Sequence, residues 1–440
     1  MRLLTLALAL LAAGQTAAPA AQTGRWDRLA ASDSVLALAG AAYAGGRPAE
    51  AGPLYLAGAE GALAASRPGA LYNGACSFAL AGQPDAAVQA LASAIAAGWD
   101  DADWMQADTD LASLRGRTEW TGLVARAAAN RVALRARQTS VDSVRIVTED
   151  IPRFWAAVDA AGPALAAHDT SAAAAVFERL YLDPGTDQLL SYVSAKVGGP
   201  RVYAAALMRW LAYYASLRAN TLALAALEPE IRGALRRMTA LTPDAVFPTV
   251  GLVVGVFSSG GTSTPQGLLL GVEMNTAAPD SPRGEMPVGL QGILAPAENL
   301  PHVVVHELVH ANQGGGEWSL LRGAIIEGGA DFIAALALPG APPAPYTTWG
   351  RAHDQAVWTR FMAEKDRTDT GAWIGNASFR AADWTGDLGY YVGAEICRGY
   401  YAQAADKAQA VRDLLLARDP EAILAASGYA ARYAPDAVGE

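Results

Sequence analysis

Apolar and polar positions alternate along the chain in three manners, each predicting a different kind of element. Between about residues 25 and 130, Ala-rich stretches of helical spacing are cut by short breaks that carry Gly and Pro. Two breaks resemble each other, AGGRPAEA at residues 44–51 and LAGQPDAA at residues 80–87, and they set Gly46 and Gly82 36 residues apart. That period predicts paired helix hairpins, with a Gly closing one helix and a Pro opening its partner. Polar residues 135–142 mark a boundary, and VRIV at residues 144–147 predicts a short strand. Residues 150–240 then read as helices buried within a domain, apolar on most faces across 203–227.

After Pro243 the pattern becomes extended. Residues 250–257 and 267–273 are apolar runs separated by the turn-like residues 258–263, which predicts a hairpin. Such a hairpin serves either as plain structure or as an edge strand that pairs with an extended peptide. Residues 299–301 carry a helix-start signal and 301–313 continue it until the glycines at 314–316, a further helix is expected around 325–332, and C-terminal helices follow over 345–435. The expected fold class is α+β and predominantly helical. It comprises an α-helical repeat domain at residues 25–130, followed by a domain at 140–440. The latter divides into helices at 150–240, hairpin and metal site at 245–335, and C-terminal helices at 345–435.

Composition narrows the function classes. With 52% hydrophobic and 17% charged residues, the 440-residue chain has ample apolar material for a core. Its net charge of −10 and lack of a basic stretch speak against a nucleic-acid partner. Arg2, an apolar run over residues 3–13 and the small residues Ala18 and Ala20 read as an export signal at residues 1–20, cleaved near Ala20, with an uncleaved anchor as the alternative. The expected location is therefore periplasmic or secreted. No Cys follows that segment to accept a lipid, and no later apolar run is long enough to span a bilayer. Cys76 and Cys397 fall in different predicted domains and are expected to be buried and unpaired.

The chemistry concentrates in residues 301–332. A helix over PHVVVHELVH sets His306 and His310 about 40° apart around its axis, one turn above the other, so both imidazoles can reach one ion. Glu307 stands about 100° from that line, where it can reach a metal-bound water as general base. The third and sixth positions after His310 are Gln313 and Gly316, which excludes the metzincin pattern. Seventeen residues beyond His310, IIEGGADF offers Glu327 as third ligand. Asp331 lies one turn further, placed to hold the free ring N–H of a ligating histidine. Gly328 and Gly329 would weaken a helix, so a close-packed second backbone is expected there. His302 shares the histidine stripe as a bystander. His353 is either structural, near Trp349 and Trp358, or an oxyanion donor.

HELVH with EGGAD resembles the gluzincin type of zinc peptidase. FPTVGLVVGVFSSGGTS, LPHVVVHELVH, EGGADF and DLGYYVGAEICRGYY, in this order, are similar to a bacterial family of predicted zinc-dependent proteases over about residues 140–430. The resemblance implies a zincin-like metallopeptidase domain with one catalytic Zn²⁺ on His306, His310 and Glu327, and Glu307 as base. It also implies an oxyanion-binding Tyr390 or Tyr391, with Arg398 behind them. In the first domain, LYNGACSFALAGQPDAAVQALASAIAAGW and DTDLASLRGRTEWTGL resemble tetratricopeptide repeats, implying a protein partner. The resulting expectation is an exported zinc peptidase acting on a peptide or protein substrate. The alternatives are a zinc hydrolase of another amide or ester, and a repeat-mediated binding protein with an inactive peptidase-like domain.

Overall fold

The computed structural model describes residues 23–433 apart from residues 380 and 382; the expected export signal at residues 1–20 lies outside them. Helices α1 (Arg25–Ala44), α2 (Pro48–Gly61), α3 (Arg67–Leu80) and α4 (Pro84–Ala96) form two antiparallel hairpins, and α5 (Ala102–Ala107) and α6 (Trp120–Gln138) close the stack. Gly46 and Gly82 adopt φ of +69° and +70°, which lets the chain reverse after each first helix. At both turns the residue after the glycine donates its N–H back into the helix, Arg47 to Ala42 and Gln83 to Phe78, so the last carbonyls are satisfied. Pro48 and Pro84 then start the return helices at a position where no N–H is needed.

The repeat region docks through its first helix. Trp26 and Leu29 of α1 enter the larger core, Trp26 N–H donates to Asp183 at 3.0 Å, and Arg25 pairs with Asp187. That core is walled by α7 (Asp150–Ala166), α8 (Thr170–Phe177), α9 (Asp187–Tyr192), α10 (Pro200–Leu222) and α11 (Glu228–Leu241). The carboxy-terminal part adds a short α12 (Val288–Gln291), then α13 (Leu300–His310), α14 (Leu320–Ala337), α15 (Pro345–Ala352), α16 (Asp354–Glu364), α17 (Leu388–Gln403), α18 (Lys407–Leu416) and α19 (Pro420–Ala426). The molecule is thus predominantly helical with one small sheet.

That sheet has four strands in the order β1 (Ile146–Val147), β2 (Val250–Val253), β4 (Gly267–Gly271), β3 (Gly261–Thr264). Here the structure departs from expectation. The two apolar runs, β2 and β4, pair parallel, and the predicted turn between them contains the edge strand β3, which forms the actual hairpin with β4. Every residue of β2 and β4 is buried, and a continuous apolar run covered on both faces is the signature of parallel pairing.

Residues 254–260, which lead to β3, are held by a ring of tyrosine hydroxyls. Tyr203 donates to the Val254 carbonyl, Tyr214 to Gly255 and Tyr192 to Ser259, at 2.8–2.9 Å. From the other side the fully buried Glu273 accepts the N–H groups of Gly255 and Phe257 at 2.7 Å. Burial pushes its carboxyl up to about 7, against those two hydrogen bonds.

Candidate metal centre

Helix α13 forms despite three consecutive valines, because its apolar positions Val304, Val305, Leu308 and Val309 fall on one face and are buried there. The opposite stripe carries His302, His306 and His310. The chain turns back through residues 311–319, where Asn312 exchanges hydrogen bonds with the main chain of Val246. Ser319 caps α14 by accepting the N–H of Arg322. On its far side α14 packs closely on α17, where Gly328 and Gly393 meet at the crossing. A Cβ at Gly393 would stand 1.7 Å from the Ala324 carbonyl oxygen, and one at Gly328 2.2 Å from the Ala394 nitrogen. Gly329 is not part of this crossing, since a Cβ there would meet only Cys397 Sγ at 3.5 Å.

The reversal from α13 into α14 brings together His306, His310 and Glu327. The two Nε2 atoms are 3.1 Å apart, and Glu327 Oε2 lies 3.3 Å from His310 Nε2 and 3.7 Å from His306 Nε2. Donors about 2.0–2.1 Å from a tetrahedral zinc stand about 3.3 Å from each other, so the three atoms fit three corners of such a shell. The proton inventory points the same way. His306 Nδ1 is 2.8 Å from Asp331 Oδ1, and His310 Nδ1 is 2.6 Å from Gln313 Oε1. Gln313 is oriented by its amide N–H donating to the Ile326 carbonyl at 2.7 Å, so its oxygen must face the histidine. Both Nδ1 atoms therefore carry protons, and two Nε2 lone pairs converge across 3.1 Å. Either a proton on one Nε2, donated to the other, or a metal ion between them relieves that opposition.

The electrostatics reflect the same crowding. Burial disfavours a charged His306, but Asp331, Glu327 and Glu307 outweigh it and push its pKa up to about 10. For His310 burial is again outweighed, here by Glu327, and its pKa also rises. Glu327 is pulled down to about 2 by the two histidines, against its burial. Asp331 is lowered by His302 and His306, likewise against burial.

Of the other predicted residues, Glu307 lies beside the cluster against the start of β3; a Cβ at Gly261 would come within 2.9 Å of its carboxyl carbon. Tyr390 stacks on His306, ring centres 6.1 Å apart, and burial together with Glu327 holds its hydroxyl above the ordinary range. Tyr391 is not brought in: its hydroxyl donates to Asp354 at 2.8 Å. Arg398 lines the adjoining cavity and lies over the Phe332 ring. His302 sits 3.8 Å from Asp331, outside the donor trio. His353 takes its structural place, stacked on Trp349 with Nδ1 2.8 Å from that residue's carbonyl.

Two residues escaped the sequence reading. Gln313, read only as a departure from the metzincin pattern, orients His310. Tyr346 donates to Asp331 at 2.6 Å. Gln313 carried a signal in its spacing of three from His310; Tyr346, on another helix, carried none. His302, His306, Glu307, Asp331 and Tyr390 open onto a cavity of about 820 Å³.

No described helix is long and apolar enough to cross a membrane. No curated protein and no solved structure matches the chain. The kinship expected with gluzincin peptidases is overturned by the family comparison, which falls on a motility family and not on a peptidase family. With it go the classification as an enzyme and the hydrolysis of peptide bonds by a zinc-activated water with Glu307 as base. HExxH spacing and its third carboxylate describe what donors can converge, and convergence alone does not specify hydrolysis. The family model that matches is that of gliding motility protein GldB, over residues 206–431, just over half of the chain and including the whole donor cluster; the chain belongs to that family.

Proposed function

We propose that this chain is an exported cell-envelope protein that works through protein partners, as a motility apparatus requires, and that it holds one divalent cation, zinc by its donor chemistry, on His306, His310 and Glu327. The observation that carries this reading is the pair of Nε2 atoms 3.1 Å apart with both Nδ1 protons already committed. The ion ties α13 to α14, while Asp331 and Gln313 hold the two rings in place. Glu307 and Tyr390, which line the cavity beside His306, would hold a water or a partner's donor near the bound ion. The repeat region supplies a second contact surface for a partner. Export through the amino-terminal signal, with cleavage near Ala20 and delivery to the periplasm or beyond, belongs to the same proposal.

Elemental analysis and thermal unfolding of the mature protein test it. We expect one zinc per chain, and chelation should lower the melting temperature, because an ion bound at a thousand times its dissociation constant adds about 4 kcal/mol. Glu327→Ala should lose the ion and the chelator response. Wild-type protein that stays zinc-free after purification in zinc, or a Glu327→Ala variant that binds as much as wild type, would sink the reading.

A further inference from the structure

The repeat region carries a second cavity, of about 430 Å³, far in sequence from the donor cluster and outside the matched residues. Its walls are aromatic: Tyr43 from α1, Tyr55 from α2, Tyr72 from α3 and Trp104 from α5. Tyr72 is fixed by stacking on Trp99, ring centres 3.9 Å apart, whereas Trp104 remains 56% exposed at the rim. The floor is acidic. Asp108 and Asp110 sit side by side, joined through the Asp110 N–H to Asp108 Oδ1 at 3.0 Å. Tyr72 donates to Asp108 at 2.8 Å and Tyr43 donates to Asp110.

These two carboxylates receive hydrogen bonds but no counter-charge. Arg115 donates to the Asp108 main-chain carbonyl, Arg117 pairs with Asp85 and Arg131 with Asp100. Among the described residues no Lys or Arg pairs with either carboxylate. Two adjacent negative charges at the base of an aromatic well form a receptor for a cation of side-chain size, attracted by the carboxylates and by the ring faces together. A metal ion fits less well, although Cys76 lies 3.5 Å from Asp108. Burial and the Asp108 charge hold its thiol protonated, and the tyrosine hydroxyls already occupy acceptor positions on both carboxylates.

We propose that this well is a recognition site for a basic side chain, an arginine or lysine of a partner protein, with Asp108 and Asp110 binding the charged head and Trp104 and Tyr43 covering it. The site stands independently of the metal centre. Its partner side is defined by charge complementarity: the well supplies two unneutralised carboxylates and the partner the cation.

Saturation-transfer difference NMR on the zinc-loaded mature protein, with acetyl-arginine amide, acetyl-lysine amide and acetyl-citrulline amide as probes, reads the proposal directly. Arginine and lysine should give saturable signals, and citrulline, similar in shape but neutral, a response at least about tenfold weaker. Asp110→Asn and Trp104→Ala should each weaken arginine binding about tenfold, and Trp104→Ala should fold normally because its side chain lies at the surface. Equal responses to arginine and citrulline would overturn the proposal, as would natively folded variants that bind arginine like wild type. A second zinc equivalent lost in Cys76→Ser would overturn it in favour of a metal site.

Discussion

Among the described residues, two places bring three metal-type donors within 4.8 Å of one another, His306 with His310 and Glu327, and Cys76 with Asp108 and Asp110. By proximity alone they are equivalent. They differ in where the protons and hydrogen bonds go. In the first, the outer ring nitrogens are engaged by Asp331 and Gln313, so the inner ones face each other with Glu327 beside them, open to a metal ion or to one shared proton. In the second, a buried thiol keeps its proton and the carboxylates are already hydrogen-bonded by Tyr72 and Tyr43. A donor cluster favours a metal when its surroundings leave the donors unsatisfied, and by that criterion the first cluster suits a metal ion better than the second.

The comparison breaks most visibly at the α14–α17 crossing, which seats the helix that carries Glu327. Gly393→Ala places a methyl against the Ala324 carbonyl, where backbone must move, and should cost about 3 kcal/mol or more in chemical denaturation. Because α14 also carries Glu327, zinc affinity should fall with it while arginine binding in the repeat region stays unchanged. Loss of both would show that the two regions are mechanically coupled.

A second test concerns a buried acid that lacks any cation, Glu273. Its pKa in the folded chain, about 7, lies above the ordinary 4.5. As pH rises through that interval the unfolded chain releases the proton first, so stability should fall between about pH 4.5 and 7 and level off above, by up to about 3 kcal/mol. Glu273→Gln should flatten that slope relative to wild type in melts across the same range. Identical slopes would mean that the carboxylate is solvated in the folded protein.

Asp331→Asn keeps an oxygen opposite His306 but removes the charge. Zinc affinity by competition with a chelating dye should drop about 10–100-fold with stoichiometry intact. No change would reduce Asp331 to a packing residue. The smallest effect is expected at the other cluster: Cys76→Ser should leave zinc content untouched and stability within about 1 kcal/mol of wild type.

Much of this was legible along the chain, for reasons that differ by element. The repeat hairpins announce themselves because Gly adopts the left-handed turn at residues 46 and 82 without steric cost and because Pro opens the return helices. His306 and His310 were readable from the helical period, and Glu327 and Asp331 from the same period one helix later. Gly328 and Gly329 looked alike in sequence, yet only Gly328 faces the crossing backbone. Tyr390 and Tyr391 were likewise equal candidates; a 100° rotation sends one onto His306 and the other to Asp354.

The sequence by itself determined the local order of this protein: where helices begin and end, that residues 250–271 hold buried strands, and that two imidazoles share a helix face. These follow from backbone sterics and periodicity, which act over a few residues. Tertiary structure decided what those elements meet. It paired β2 with β4 in parallel and slid β3 to the edge beside Glu307. It brought Tyr346 to Asp331 and left the carboxylates of Asp108 and Asp110 without a cation. Such partnerships depend on burial and charge balance summed over distant segments, which no local pattern records, just as the motif that suggested a peptidase did not record membership of a motility family.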